Sequence, residues 1–130
     1  MVIDEQGNFT YLNPKFTELF GYDLNDAPSG RIWYKKAFPD IKERVAAMSG
    51  WVRNVKNTTP GQRIAKIFTV TCKDGTKKTV NFIPVRLATG EYLVSLDDIT
   101  ERIQAQNALL QSHKELENLN RAKTKAVNHI

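Results

Sequence analysis

The period of the apolar positions changes several times along the chain, and each change marks an element. Val2-Ile3, the polar stretch Glu5-Gln6-Gly7-Asn8 and the run Phe9 to Asn13 read as strand, glycine turn and strand. Asn13 can cap the helix that follows, and Pro14 suits its first position. Phe16, Leu19 and Phe20 form its i, i+3, i+4 face, which Gly21 can end in the left-handed conformation. Between Tyr22 and Pro39 the signals are mixed: Pro28-Ser29-Gly30 interrupts the chain ahead of Ile32, Trp33 and Phe38, so only short helical turns are expected. From Pro39-Asp40 the spacing predicts a longer helix with an inward stripe of Ile41, Val45, Met48, Val52 and Val55, and Trp51 beside it.

After Thr58-Thr59-Pro60-Gly61 the period falls to two. Ile64, Phe68, Val70 and Cys72 share one face of a strand, and Ala65, Ile67, Thr69 and Thr71 share the other. Lys73-Asp74-Gly75-Thr76 sets Asp-Gly between two strand-like runs, a strong hairpin signal. The next strand spans Thr79 to Leu87. Pro84 within it cannot donate to a ladder and implies an edge or a bulge, with the inward face passing from Val80 and Phe82 to Ile83, Val85 and Leu87. Ala88-Thr89-Gly90-Glu91 turns into a last strand, Tyr92 to Leu96. Two strands, helices and three hairpin-linked strands predict an α+β domain over residues 1–98, with a central antiparallel sheet of five strands and flanking short helices.

From residue 99 to residue 130 glycine and proline are absent, and the composition predicts one long C-terminal helix. Asp98 followed by Glu101 fits a capping box at its start. Ala105, Leu109, Ser112, Leu116, Leu119, Lys123, Ala126 and Ile130 recur at alternating four- and three-residue steps. That seam predicts pairing with the same helix of a second copy, centred on Leu109, Leu116 and Leu119. Ile99 and Ile103 fall off this register and suit packing on the domain itself.

Composition narrows the function classes. The 130 residues suffice for one domain, and no apolar run approaches the ~18 residues of a membrane span. Met1-Val2-Ile3-Asp4-Glu5 has no secretory character, so the expected compartment is the cytoplasm. The net charge of +5 divides into 14 basic against 11 acidic residues up to Asp98 and 5 against 3 beyond it. So even a spread argues against a nucleic-acid partner. The single cysteine, Cys72, provides neither a disulfide nor a thiolate metal site. Residues 1–98 contain no histidine and only scattered carboxylates, such as Asp4, Glu18, Asp23, Asp26, Asp40 and Glu43, so no catalytic set converges and no enzyme activity is expected of this chain.

The segment Asp4 to Asn13, followed by Phe16, Leu19 and Phe20-Gly21-Tyr22, resembles the opening of a PAS sensor domain. Lys73-Asp74-Gly75-Thr76 and Asp97-Asp98-Ile99-Thr100-Glu101-Arg102 resemble the last hairpin of such domains and their junction with a signalling helix. Trp33, Phe38-Pro39-Asp40, Arg44 and Trp51 resemble a subgroup common in bacterial sensors. Residues 120–130 resemble the approach to the phosphoacceptor box of a sensor histidine kinase. The Ser-His-Glu of that box would lie beyond Ile130, so His129 is not its nucleophile.

The resemblance implies a small cavity between sheet and helices. Phe16, Phe20, Trp33, Met48, Trp51, Phe68, Val70, Phe82 and Val94 either line such a pocket or fill the core. The cofactor is unassigned. His113 and His129 both lie in the terminal helix, which argues against histidine-ligated haem, and the spacing of Met48 suits packing better than iron ligation. Cys72 lies in a strand, which argues against a cysteinyl-flavin photosite. The resemblance further implies that Asp98 and Thr100 relay a small-molecule or neighbouring-domain signal into a homodimeric helix, with a kinase domain downstream in cis. A diguanylate cyclase or transcription factor as output, or a stand-alone binding or dimerisation domain, is the alternative.

Overall fold

Local chemistry sets the first elements of the computed structural model, which describes residues 1–54 and 58–128. The Asp4 carboxylate accepts the amides of Gln6 and Asn8 at 3.0 and 2.8 Å, which folds the turn between β1 (Val2–Ile3) and β2 (Phe9–Tyr11). Asn13 Oδ1 accepts the Phe16 amide at 3.1 Å and opens α1 (Pro14–Phe20), which Gly21 ends in the left-handed region at φ 82°. Ser29 likewise caps α2 (Gly30–Ala37), a full eight-residue helix in the segment whose sequence signals are mixed. The next helix, α3, spans Ile41–Asn54.

β3 (Lys66–Thr71), β4 (Lys77–Arg86) and β5 (Tyr92–Asp98) complete a five-stranded antiparallel sheet in the order β2-β1-β5-β4-β3. Its inner face carries Phe68, Val70, Val80, Phe82 and Val94, and α1 and α2 pack aromatic rings on it. Phe20 stacks on Phe82 at 6.4 Å, and Trp33 meets Phe82 at 5.8 Å and Phe16 at 6.3 Å. The remaining element, α4 (Thr100–Asn128), belongs to a separate compact unit that begins where the first, Met1–Ile99, ends.

Three sequence expectations are corrected. The β4–β5 register is unbroken from Val80↔Asp98 to Arg86↔Tyr92, so no bulge turns the strand at Pro84. Val80, Phe82 and Pro84 stay on the buried face, and Ile83, Val85 and Leu87 are only half-buried. Pro84 is tolerated because β3 ends at Lys66, opposite Phe82, and beyond that point a single bridge, Arg63↔Val85, flanks β4. The α3 stripe also points differently. Ile41, Val45, Met48 and Val52 are exposed, Ala47 is buried, and Val55 lies outside the described residues. The helix instead faces the sheet through Ala47, Gly50 and Trp51: Trp51 packs on Tyr92 at 5.7 Å, and a Cβ on Gly50 would make ordinary contact with the Phe68 ring at 3.8 Å. Lastly, α4 begins at Thr100 rather than residue 99, and Asp98 is the last residue of β5, paired with Val80.

Candidate functional site

Beyond the closed packing of α1 on the sheet, residues of α2, α3, β3 and β4 enclose a space. A cavity of about 440 Å³ opens there, within the range of small-molecule sites. Trp33 and Tyr34 of α2 with Phe38 just past its end form one wall, and Met48, Trp51 and Val52 of α3 form another. The floor is Lys66 and Phe68 of β3 with Phe82 and Pro84 of β4. The β1–β2 turn closes one side through Gln6, Gly7 and Asn8, held by the amide of Gly30 donating to the Gly7 carbonyl at 2.8 Å. A Cβ at position 30 would sit 3.3 Å from the same oxygen, so a side chain there would push the turn back by a few tenths of an ångström.

The residues named from sequence divide in two. Trp33, Met48, Trp51, Phe68 and Phe82 line the cavity. Phe16, Phe20, Val70 and Val94 do not; each is no more than 1% exposed and belongs to the closed core. Cys72 lies past the end of β3, buried, with its thiol 3.6 Å from the Leu19 carbonyl and away from the cavity. The apolar exposed positions of α3 thus acquire a reason in part, because Met48 and Val52 line the cavity instead of the closed core. Sequence reasoning missed Arg31, Tyr34 and Lys66. Of these Lys66 was readable, because it alternates in phase with the inward Phe68 and Val70.

Polar groups in the wall are few. Burial pushes the Tyr34 hydroxyl well above the ordinary tyrosine range, so it stays protonated and able to donate. Trp33 Nε1 is buried without a hydrogen-bond partner among the described residues. No cluster of histidine, cysteine or carboxylate side chains able to hold a metal occurs among the described residues.

The wall is coupled to the last strand. Trp51 packs edge-on against Tyr92 at 5.7 Å, the first residue of β5, and the floor residues Phe82 and Pro84 stand in register with Leu96 and Val94 of β5. The strand ends at Asp98, the buried Ile99 donates its amide to the Thr79 carbonyl at 2.9 Å, and Thr100 opens α4. On α4, Leu109, Leu116 and Leu119 are all exposed. Seam positions Ala126 and Ile130, and also His129, lie outside the residues whose side chains are described. No helix among the described residues is long and apolar enough to cross a membrane.

Comparisons with known proteins agree with this architecture. Residues 1–56 match the family model of the PAS domain. The chain resembles the crystal structure of the PAS domain of an HTR-like protein from Haloarcula marismortui, at 20% identity and a TM-score of 0.55 over 75% of this chain and 78% of that one. It also resembles a sensory box histidine kinase/response regulator from Burkholderia thailandensis E264, at 20% identity and a TM-score of 0.61 over 90% of this chain and 88% of that one. No curated protein matches the chain.

Proposed function

We propose that this chain carries a PAS domain and that the domain is the sensory and relay module of a two-component sensor histidine kinase. A small molecule in the cavity, or a neighbouring domain, biases the sheet. The Asp98–Thr100 junction passes that bias to α4, and α4 pairs with a second copy through Leu109, Leu116 and Leu119. The module catalyses nothing itself, and a kinase domain in cis provides the output. The observation that carries this reading is mechanical. β5 is registered against the cavity floor, bears the Tyr92 contact to Trp51, and runs into α4 with only Ile99 between strand and helix. A displaced floor residue therefore acts on a strand whose far end is the start of the output helix. The histidine kinase output is favoured by the resemblance of residues 120–130 and by the sensory box kinase among the structural neighbours.

Native mass spectrometry of the whole chain, compared with a denaturing run, tests the first step. A dimer carrying a mass that is lost on denaturation supports a ligand sensor. A bare dimer favours relay from another domain, and a bare monomer removes the paired-helix mechanism. Hydrogen exchange tests the relay: protection along α4 is expected to change when the cavity is filled, and to stop changing in Asp98→Ala and Thr100→Ala. An identical response in wild type and both variants would exclude the junction as the route.

A further inference from the structure

Every charged side chain of the cavity wall has the same sign. Arg31 and Lys66 line it, and no aspartate or glutamate does. Neither cation makes an ion pair or a side-chain hydrogen bond with any described residue. Lys66 is the more telling of the two. It is half-buried on the inward face of β3, in phase with Phe68 and Val70, and it pairs across the ladder with Phe82, which is 6% exposed. An ammonium held against an apolar wall gives up hydration that only a counter-charge or water can replace. Arg31 is exposed on the first turn of α2 and brings a second cation to the cavity edge.

Of the other polar groups in the lining, the Gln6 and Asn8 side-chain amides offer an acceptor as well as donors, and two further groups can donate. The Trp33 indole and the Tyr34 phenol are both donors without a partner among the described residues. Ser29 Oγ, an acceptor in the wall, is already used by the Ile32 amide at 3.3 Å. An anionic oxygen group satisfies such a wall, whereas a cation or a bare hydrocarbon leaves its donors unmet. Two cations on a lining that is otherwise mostly apolar match one carboxylate and not a polyphosphate.

Building on the reading of this cavity as a ligand site, we infer that it takes a small amphipathic carboxylate, with an apolar body against Trp33, Trp51 and Phe68 and a carboxylate paired with Lys66. Arg31 completes the pairing at the rim.

The only two tryptophans of the chain, Trp33 and Trp51, both line the cavity, so intrinsic fluorescence of the whole protein reads occupancy directly. The probes are octanoate, octan-1-ol and octylammonium, titrated in parallel. Octanoate is expected to bind at least about tenfold more tightly than octan-1-ol, as a charge-assisted contact implies. Lys66→Met should bring octanoate to the level of the alcohol, Arg31→Met should weaken it less, and both should leave octan-1-ol binding unchanged. Thermal melts check that each variant is folded, and Lys66→Gln replaces Lys66→Met if the latter is not. Equal binding of octanoate and octan-1-ol, or a preference that survives in the double variant, overturns the anion inference and leaves the ligand-site reading intact. Binding of no probe also overturns it. The ligand-site reading then rests on whether native mass spectrometry finds an adduct of other chemistry.

Discussion

The tightest requirements for single residues lie at the closed end of the core. Phe20 is 1% exposed, meets Phe16 at 5.0 Å and stacks on Phe82, so Phe20→Ala removes a whole ring from a site with little room to collapse. A loss of roughly 3 to 5 kcal/mol is expected from the shift of the urea midpoint. Beside it, Gly21 holds φ 82°, and a Cβ there would stand 3.0 Å from the Lys73 Cβ. Gly21→Ala should cost about 1 to 2 kcal/mol from the left-handed backbone alone, and an unchanged midpoint would rule out that strain. Acid stability also belongs to individual residues. The Asn8 amide lowers the Asp4 pKa, the Asp23 amide and then Lys73 lower that of Asp26, and the Thr76 hydroxyl and amide lower that of Asp74, each from an ordinary 3.8. A carboxylate whose folded-state pKa is depressed contributes stability above its unfolded value and loses it as pH falls through the folded one. The urea midpoint should therefore hold at neutral pH and drop below about pH 4, and it should drop less in the Asp4→Asn, Asp26→Asn, Asp74→Asn triple variant. An equal drop in the triple variant would assign acid sensitivity elsewhere.

Among elements, α3 separates sequence pattern from structure most sharply. Its spacing selects Ile41, Val45, Met48 and Val52 as the core face, yet the buried contact is Ala47. Val45→Lys should therefore shift the melting midpoint by no more than about 0.5 kcal/mol, whereas Ala47→Leu should cost roughly 1 to 3 kcal/mol by overpacking. The opposite ranking would restore the apolar stripe to the core. The contrast explains what was legible and what was not. The Asp74-Gly75 hairpin, the Asn13 cap and the Gly21 stop depend on neighbours in sequence, and the residues state them outright. The long terminal helix was equally plain from its lack of glycine and proline. The orientation of α3 depends on rings brought from α2 and β3, which no local period encodes. Pro84 misled for a related reason: its tolerance is set by where the partner strand β3 stops. The cavity is the extreme case. The aromatic residues that line it and those that fill the core are of the same types, and Phe16 and Phe68 differ only in what stands across from them. Only Lys66, a cation in phase with an apolar face, marked the site in the sequence itself.

For the whole molecule, the decisive quantity is how α4 is stabilised. It runs 29 residues, its Leu109, Leu116 and Leu119 are 61%, 55% and 53% exposed, and its Gln111–Glu115 contact at 3.1 Å is a minor intrahelical aid. A long helix with so little buried of its own needs a partner face to be stable in water. The seam offers leucine at three positions, but Ala105, Ser112 and Lys123 interrupt it, so pairing should be weak. Under the proposed relay weak pairing is an advantage, because two arrangements of the helices differing by only a few kcal/mol would lie within reach of a cavity ligand's differential affinity. Sedimentation of the chain should accordingly show a concentration-dependent monomer–dimer equilibrium. Leu116→Asp with Leu119→Asp should give monomer throughout, together with a loss of helical circular dichroism, while tryptophan-detected probe binding in the unit Met1–Ile99 stays unchanged. Dimers that persist in that variant would move the interface off α4. The sheet's outer face would be the next place to look, since Val2, Leu93 and Val85 form a cross-strand row there and Leu93 is 45% exposed.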